Sequence, residues 1–309
     1  MTEAPSCPTC GTARPDRFCP SCGEAALQDG EPSLRQVVVA FFSDVTNLEG
    51  KLWRTLWSLV RHPGQLAADW SRGKRRPYMK PTQVLILATV VYFLLQAFTP
   101  ANTLNQDLAG HVTRQVYSPL AHGLTERRLD TLTDRAVSEL PAAEAHDETV
   151  RERIRATVRA DYTTRFDDRV AKNARALVFL LAPLLALVFA VVHLDGGRGA
   201  AEHLVLAAHF VSFLLIVVLV IGATLVGITA AVLISLFGLG NAPRLEWLVA
   251  QLLAVPCLLW LHVAYRTFHE NTRLSAALRA GVTVLAVLPA VMVLRLLTFL
   301  FTHATLGPS

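Results

Sequence analysis

Gly73-Lys-Arg-Arg-Pro-Tyr-Met-Lys-Pro81 runs into the apolar stretch that opens at Gln83, and this junction decides the fold. Lys51 to Lys80 holds eight Lys and Arg against one acid, Asp69, immediately before the first apolar run. Lysine and arginine resist translocation, so the junction predicts a cytoplasmic N-terminus and a membrane span beginning near Gln83. Of 309 residues 52% are hydrophobic and 17% charged, and the apolar ones are bunched into long runs. That bunching predicts a polytopic membrane protein.

Working outward toward the N-terminus, Pro32 and Ser33 open amphipathic sequence in which Val37, Val38, Phe41, Phe42 and Val45 recur at helical spacing. Leu48, Leu52, Trp53, Leu56, Trp57, Leu59 and Val60 follow, bordered by Lys51, Arg54 and Arg61. Trp and Leu beside cations predict a helix lying among lipid head groups, and His62-Pro63-Gly64 ends it. The same helices could equally pack on the membrane domain. Lys74, Arg75, Arg76 and Lys80 are candidates for contact with anionic lipid.

Cys7-Pro-Thr-Cys10-Gly and Cys19-Pro-Ser-Cys22-Gly are two knuckles spaced to place four sulfurs around one ion. On the reducing side of a membrane they are thiols, and the expected cofactor is structural Zn2+. Four occupied ligand positions leave none open for catalysis. The ribbon is then either a dock for a cytosolic protein or a staple that orders the N-terminus. Glu3, Asp16, Glu24 and Asp29 offset Arg14 and Arg17, which argues against nucleic acid as a partner.

The knuckles, Arg54-Thr-Leu-Trp-Ser-Leu-Val-Arg-His-Pro-Gly64, and Gly73-Lys74-Arg75 with Tyr78 and Pro81 resemble the bacterial domain-of-unknown-function 3667 proteins. The resemblance runs from Cys7 to about Phe93, with Trp70 where a tyrosine is expected. It implies a zinc ribbon joined to several membrane helices and carries no activity. The Ala, Leu and Arg bias also suggests a bacterium, hence its inner membrane.

Downstream, five spans are expected: Gln83–Thr99, Ala174–Leu194, His203–Leu239, Glu246–Tyr265 and Ala280–Phe301. The third run is 37 residues, about 55 Å as a helix, and must tilt, protrude or break near Gly222 or Gly227. Crossing once keeps Arg266, Arg273 and Arg279 inside; crossing twice gives six spans. Between the first two spans, residues 101–172 carry eleven basic and twelve acidic residues. Val150, Ile154, Val158, Tyr162, Phe166 and Val170 repeat every four, facing Leu129, Leu132, Val137 and Leu140, which predicts a periplasmic helical hairpin. The expected fold is thus all-α, with a ribbon at 1–30, interfacial helices and the basic junction at 31–82, and a transmembrane domain at 83–309.

Polar residues inside spans mark places for chemistry. Arg295, His209 and His262 form a possible intramembrane site, with snorkelling of Arg295 to the far head groups as its simpler use. Glu202 and His203 stand at the cytosolic start of the third span, and His262, Tyr265, Arg266 and His269 line the inner end of the fourth. Ala223, Gly227, Ala231 and Ser235 make a smooth strip suited to close helix packing or a homo-oligomer. No soluble-enzyme motif occurs. The leading expectation is a non-enzymatic membrane adaptor or regulator; a small transporter and an intramembrane lipid-acting enzyme are the alternatives.

Overall fold

A computed structural model describes residues 6–13, 17–24, 48–96, 106–222, 224 and 243–306. Apart from the ribbon's turns the described chain is helical. The helices are α1 (Leu48–Arg61), α2 (Gln65–Ser71), α3 (Pro81–Gln96), α4 (Leu108–Thr113), α5 (Ser118–Ser138), α6 (Ala142–Ala145), α7 (Glu148–Leu177), α8 (Leu181–Val192), α9 (Ala200–Phe213), α10 (Pro243–Phe268) and α11 (Arg273–Thr305). Each of the five expected spans falls at least partly on one of them. Three helical stretches are long and apolar enough to cross a membrane: Glu148–Val192, Ala200–Val220 and Arg273–Thr305; Pro81–Leu95 is apolar but shorter. The residues that separate five crossings from six, the candidate packing strip from Ala223 to Ser235, and the amphipathic stretch from Val37 to Val45 lie outside the described residues.

The chain divides into two compact units, one formed by Met1–Thr99 with Ala182–Val287, the other by Pro100–Leu181 with Leu288–Ser309. In the first, α9 packs on α3 and α2, and α10 packs on α2. Ala88 and Ala207 are fully buried, small enough to let backbones approach where lipid supplies no hydrophobic drive. Phe210 and Phe213 lie 5.4 and 5.5 Å from Trp260, filling the space between α9 and α10.

The second unit is the expected hairpin joined by the end of α11. Arg151 pairs with Asp134, Arg155 with Asp130 and Glu126 at 2.5 and 2.8 Å, and Arg159 with Glu126 at 2.9 Å. Rising residue numbers on α7 meet falling ones on α5, so the two helices are antiparallel. The inner face follows the four-residue repeat, with Tyr162, Phe166 and Val170 buried against Leu129 and Ala121. Phe299 of α11 and Leu306 just beyond its end complete this core.

Two proline and packing effects shape the spans. A 3-10 turn at Val178–Leu180 joins α7 to α8. Pro183 offers no N–H to the carbonyl of Phe179, and its ring pushes that carbonyl aside, so the chain tightens one turn earlier. Beyond α9 the helix widens into a π-helical stretch at Leu214–Gly222, so the long third run departs from α geometry ahead of the glycines expected to break it.

Candidate functional site: a cysteine ribbon on a basic junction, and a buried histidine cluster

Both ribbon knuckles fold alike. The Gly11 N–H donates to the Cys7 carbonyl at 2.8 Å, and the Gly23 N–H to the Cys19 carbonyl at 2.7 Å. Gly11 and Gly23 have φ of 76° and 67°, a left-handed conformation that only glycine adopts freely. The turns bring the four Sγ atoms of Cys7, Cys10, Cys19 and Cys22 within 4.8 Å of one another. The Cys7–Cys22 and Cys10–Cys19 pairs stand at 3.5 Å, far beyond a disulfide bond. Tetrahedral ligands at 2.3 Å from one ion would be about 3.8 Å apart, so this donor set fits a thiolate-bound metal. Hydrogen bonding with the Thr12 side chain lowers the Cys10 thiol to about 6, favouring the thiolate that a metal requires.

The ribbon is seated on the junction of its own chain. Glu24, buried to 5% exposure, accepts from the Thr9 hydroxyl at 2.6 Å and from the Arg76 backbone N–H at 3.0 Å. The Arg76 guanidinium lies against Gly23, where any Cβ would meet Nη1 at 2.3 Å. Arg75 sits 4.4 Å over the Trp70 ring. The Lys74 N–H donates to the Asp69 carbonyl, and the Lys80 N–H to Gln83 Oε1. The four cations expected at the lipid surface therefore stand on a turn whose backbone is held at several points.

Helix α1 shows how the interfacial segment is used. Trp53, Trp57 and Val60 form an exposed stripe, with Trp53 74% exposed, while Thr55, Ser58 and Leu59 are buried. One face of α1 packs within its unit and the other presents aromatic surface outward. Trp260 Nε1–H donates to the Leu59 carbonyl at 2.7 Å, supplying a partner to a carbonyl in the last turn of α1. Gly64, at φ 82°, carries the chain past α10 so closely that a Cβ would stand 2.7 Å from the Ala264 carbonyl oxygen.

The second cluster lies at one end of the same unit. His193 stacks on His269 with ring centroids 3.7 Å apart, and His203 lies 5.4 Å from His269. His193 and His203 are 2% and 3% exposed. His193 is fully engaged, with Nδ1 at 3.1 Å from the Phe189 carbonyl and Nε2 at 3.2 Å from Asn271 Nδ2. His203 Nδ1 and both ring nitrogens of His269 are buried without a hydrogen-bond partner. Burial, followed by the neighbouring His193 and His203, pushes His269 down to about 3, so its ring is neutral at pH 7. Two ion pairs flank the cluster. Asp195, held to about 2 by the Arg279 guanidinium, meets it at 2.9 and 2.6 Å, and Arg198 meets Glu202 at 2.9 Å. Glu202 and His203 diverge as adjacent helical residues should, one to the surface pair and the other inward.

Arg295 belongs to the second unit, where its Nη1 donates to Gln115 Oε1 at 3.4 Å, near His111. His209 and His262 belong to the first unit, and no hydrogen bond or ring contact joins them among the described residues. His262 stays outside the cluster that His269 enters. His193 was not singled out by sequence, since a lone histidine at a span end carries no pattern. Glu24 was weighed there only as an acid offsetting arginines, because its contact with Arg76 spans 52 residues.

Long apolar helices and a four-cysteine cluster able to bind a metal make this an all-helical membrane protein of unknown activity. Residues 49–93 match the family model described as protein of unknown function, DUF3667. The match covers α1, α2, the basic turn and most of α3, which are the elements built around Gly64 and Asp69. No curated protein and no solved structure matches the chain.

Proposed function

We propose that this protein is a membrane adaptor or regulator whose zinc-loaded ribbon docks a cytosolic protein. The observation that carries this reading is the seating of the ribbon. Glu24 ties one side to Arg76, while Phe18 on the described ribbon surface stays 55% exposed with Arg17 stacked 5.5 Å from its ring. An exposed aromatic beside an arginine on a fixed support is the residue chemistry that anchors protein partners. In this reading Cys7, Cys10, Cys19 and Cys22 hold Zn2+, Lys74, Arg75, Arg76 and Lys80 face anionic lipid, and the chain crosses a bacterial inner membrane five times. The N-terminus is cytoplasmic and the α5–α7 hairpin periplasmic. A homo-oligomer would use Ala223, Gly227, Ala231 and Ser235.

The test is crosslinking in intact cells followed by purification of the wild type, Phe18→Ala and the Cys19→Ser, Cys22→Ser double variant, at matched membrane insertion. Both variants are expected to lose one specific cytosolic partner, and only the double variant its zinc. A full set of partners retained by both would overturn the adaptor reading. A transport reading draws on the buried His193, His203 and His269 cluster. It predicts substrate- or proton-coupled flux in vesicles that is lost in His203→Ala.

A further inference from the structure

Between the ribbon, α1 and the basic turn lies a cavity of about 350 Å³ lined by Thr9, Gly50, Lys51, Arg54, Arg76 and Pro77. That volume is at the lower end of small-molecule sites. Three of its six lining residues are cations, and none of them forms an ion pair with a described residue; the Arg54 Nη1 makes only a 3.4 Å bond to the Pro77 carbonyl. The nearby carboxylate, Glu24, does not line the cavity and accepts from the Thr9 hydroxyl and the Arg76 N–H. Three unpaired like charges around one concavity repel one another, and an anion relieves that repulsion.

The placement on α1 narrows the ligand. At 100° per residue, Gly50, Arg54 and Lys51 occupy the arc between the exposed stripe of Trp53 and Trp57 and the buried face of Thr55 and Leu59. The cationic cavity therefore borders directly on the aromatic surface. We propose that it binds a phosphate group, either of an anionic phospholipid whose chains run beside Trp53 and Trp57 or of a free phosphate compound. Arg54 and Arg76 match phosphate oxygens in geometry, Lys51 adds a point charge, and Thr9 closes the wall from the ribbon. The proposal rests on the ribbon being seated as described, because Thr9 is one wall.

The experiment uses the full chain loaded with zinc in neutral detergent. Retention of phosphatidylglycerol over phosphatidylcholine is counted by native mass spectrometry, and competition is measured with inorganic phosphate and with glycerol 3-phosphate. The lining variant Lys51→Gln, Arg54→Gln, Arg76→Gln is compared with Arg72→Gln, Lys74→Gln, Lys80→Gln, an equal loss of charge on the same junction. The lining variant is expected to lose retention on the order of a hundredfold, the other only a fewfold. A Lys51→Arg, Arg54→Lys variant is expected to keep binding, and zinc content checks that each protein is folded. Lipid retention without phosphate competition assigns the lipid source; competition by either soluble phosphate assigns the free one. Equal losses in the two triple variants, or none in the lining variant, overturn the proposal. Retention surviving in Cys19→Ser, Cys22→Ser but lost in the lining variant keeps the phosphate site while refuting the ribbon seat.

Discussion

Replacing Gly64 by alanine tests the contact around which the family segment is built. Gly64 has φ 82°, and a Cβ there would stand 2.7 and 2.8 Å from the carbonyl oxygen and Cα of Ala264. Placing an L-residue in the left-handed region costs about 1–2 kcal/mol. The overlap is with helix backbone, which cannot rotate aside as a side chain can, and overpacking of that kind costs about 1–3 kcal/mol more. The total, about 2–5 kcal/mol, corresponds to a fall in Tm on the order of 10 °C for a unit of this size. The assay is thermal unfolding of the detergent-purified chain, with Gly123→Ala as the comparison. Gly123 lies within α5 with nothing within 4 Å of its would-be Cβ, and alanine there is expected to be neutral or stabilising by up to about 1 kcal/mol. A Gly64→Ala protein that melts with Gly123→Ala would refute the close approach of Gly64 to α10.

Trp260→Phe removes the donor to the Leu59 carbonyl in a buried place and is expected to cost about 1–3 kcal/mol, read as a lowered Tm with unchanged metal content. His111, 1% exposed, is pushed down to about 4 by burial and then by Arg295, so its folded pKa lies below the unfolded value of about 6.5. Its contribution is complete above pH 6.5 and is lost as pH falls toward 4. Tm should drop over that window, and His111→Gln should flatten the drop; an unchanged profile would sink the assignment. Arg279→Gln breaks a pair whose Asp195 side chain is 68% exposed, so thermal unfolding should shift little, and a large fall in Tm would contradict the screening expected there. Stripping metal with a chelator should unfold the ribbon alone, exposing Arg17 to trypsin while the helices keep their circular dichroism.

The local features of this fold were legible in sequence because each is decided by a few adjacent residues. The glycine after each second cysteine takes the left-handed turn that the knuckle spacing requires. Pro183 distorts the helix one turn ahead of itself, and the apolar repeat from Val150 to Val170 named the inner face of the hairpin. The remaining features depend on residues far apart in the chain. The contact of Arg295 with Gln115 spans 180 positions. Gly64 read as a helix stop, and only its approach to Ala264 shows why no other residue serves there. The histidine cluster joins three separate helix ends, none of which carries a motif.

The seat of the ribbon also has a consequence for synthesis. Glu24 finds its partner at Arg76, 52 residues later. At about 5–20 residues per second, the interval between making the two is about 3–10 s. Through that interval the four thiols have no seat to rest on. A ribbon that takes up an ion in that interval folds before its seat exists, because its four cysteines lie within sixteen residues of one another.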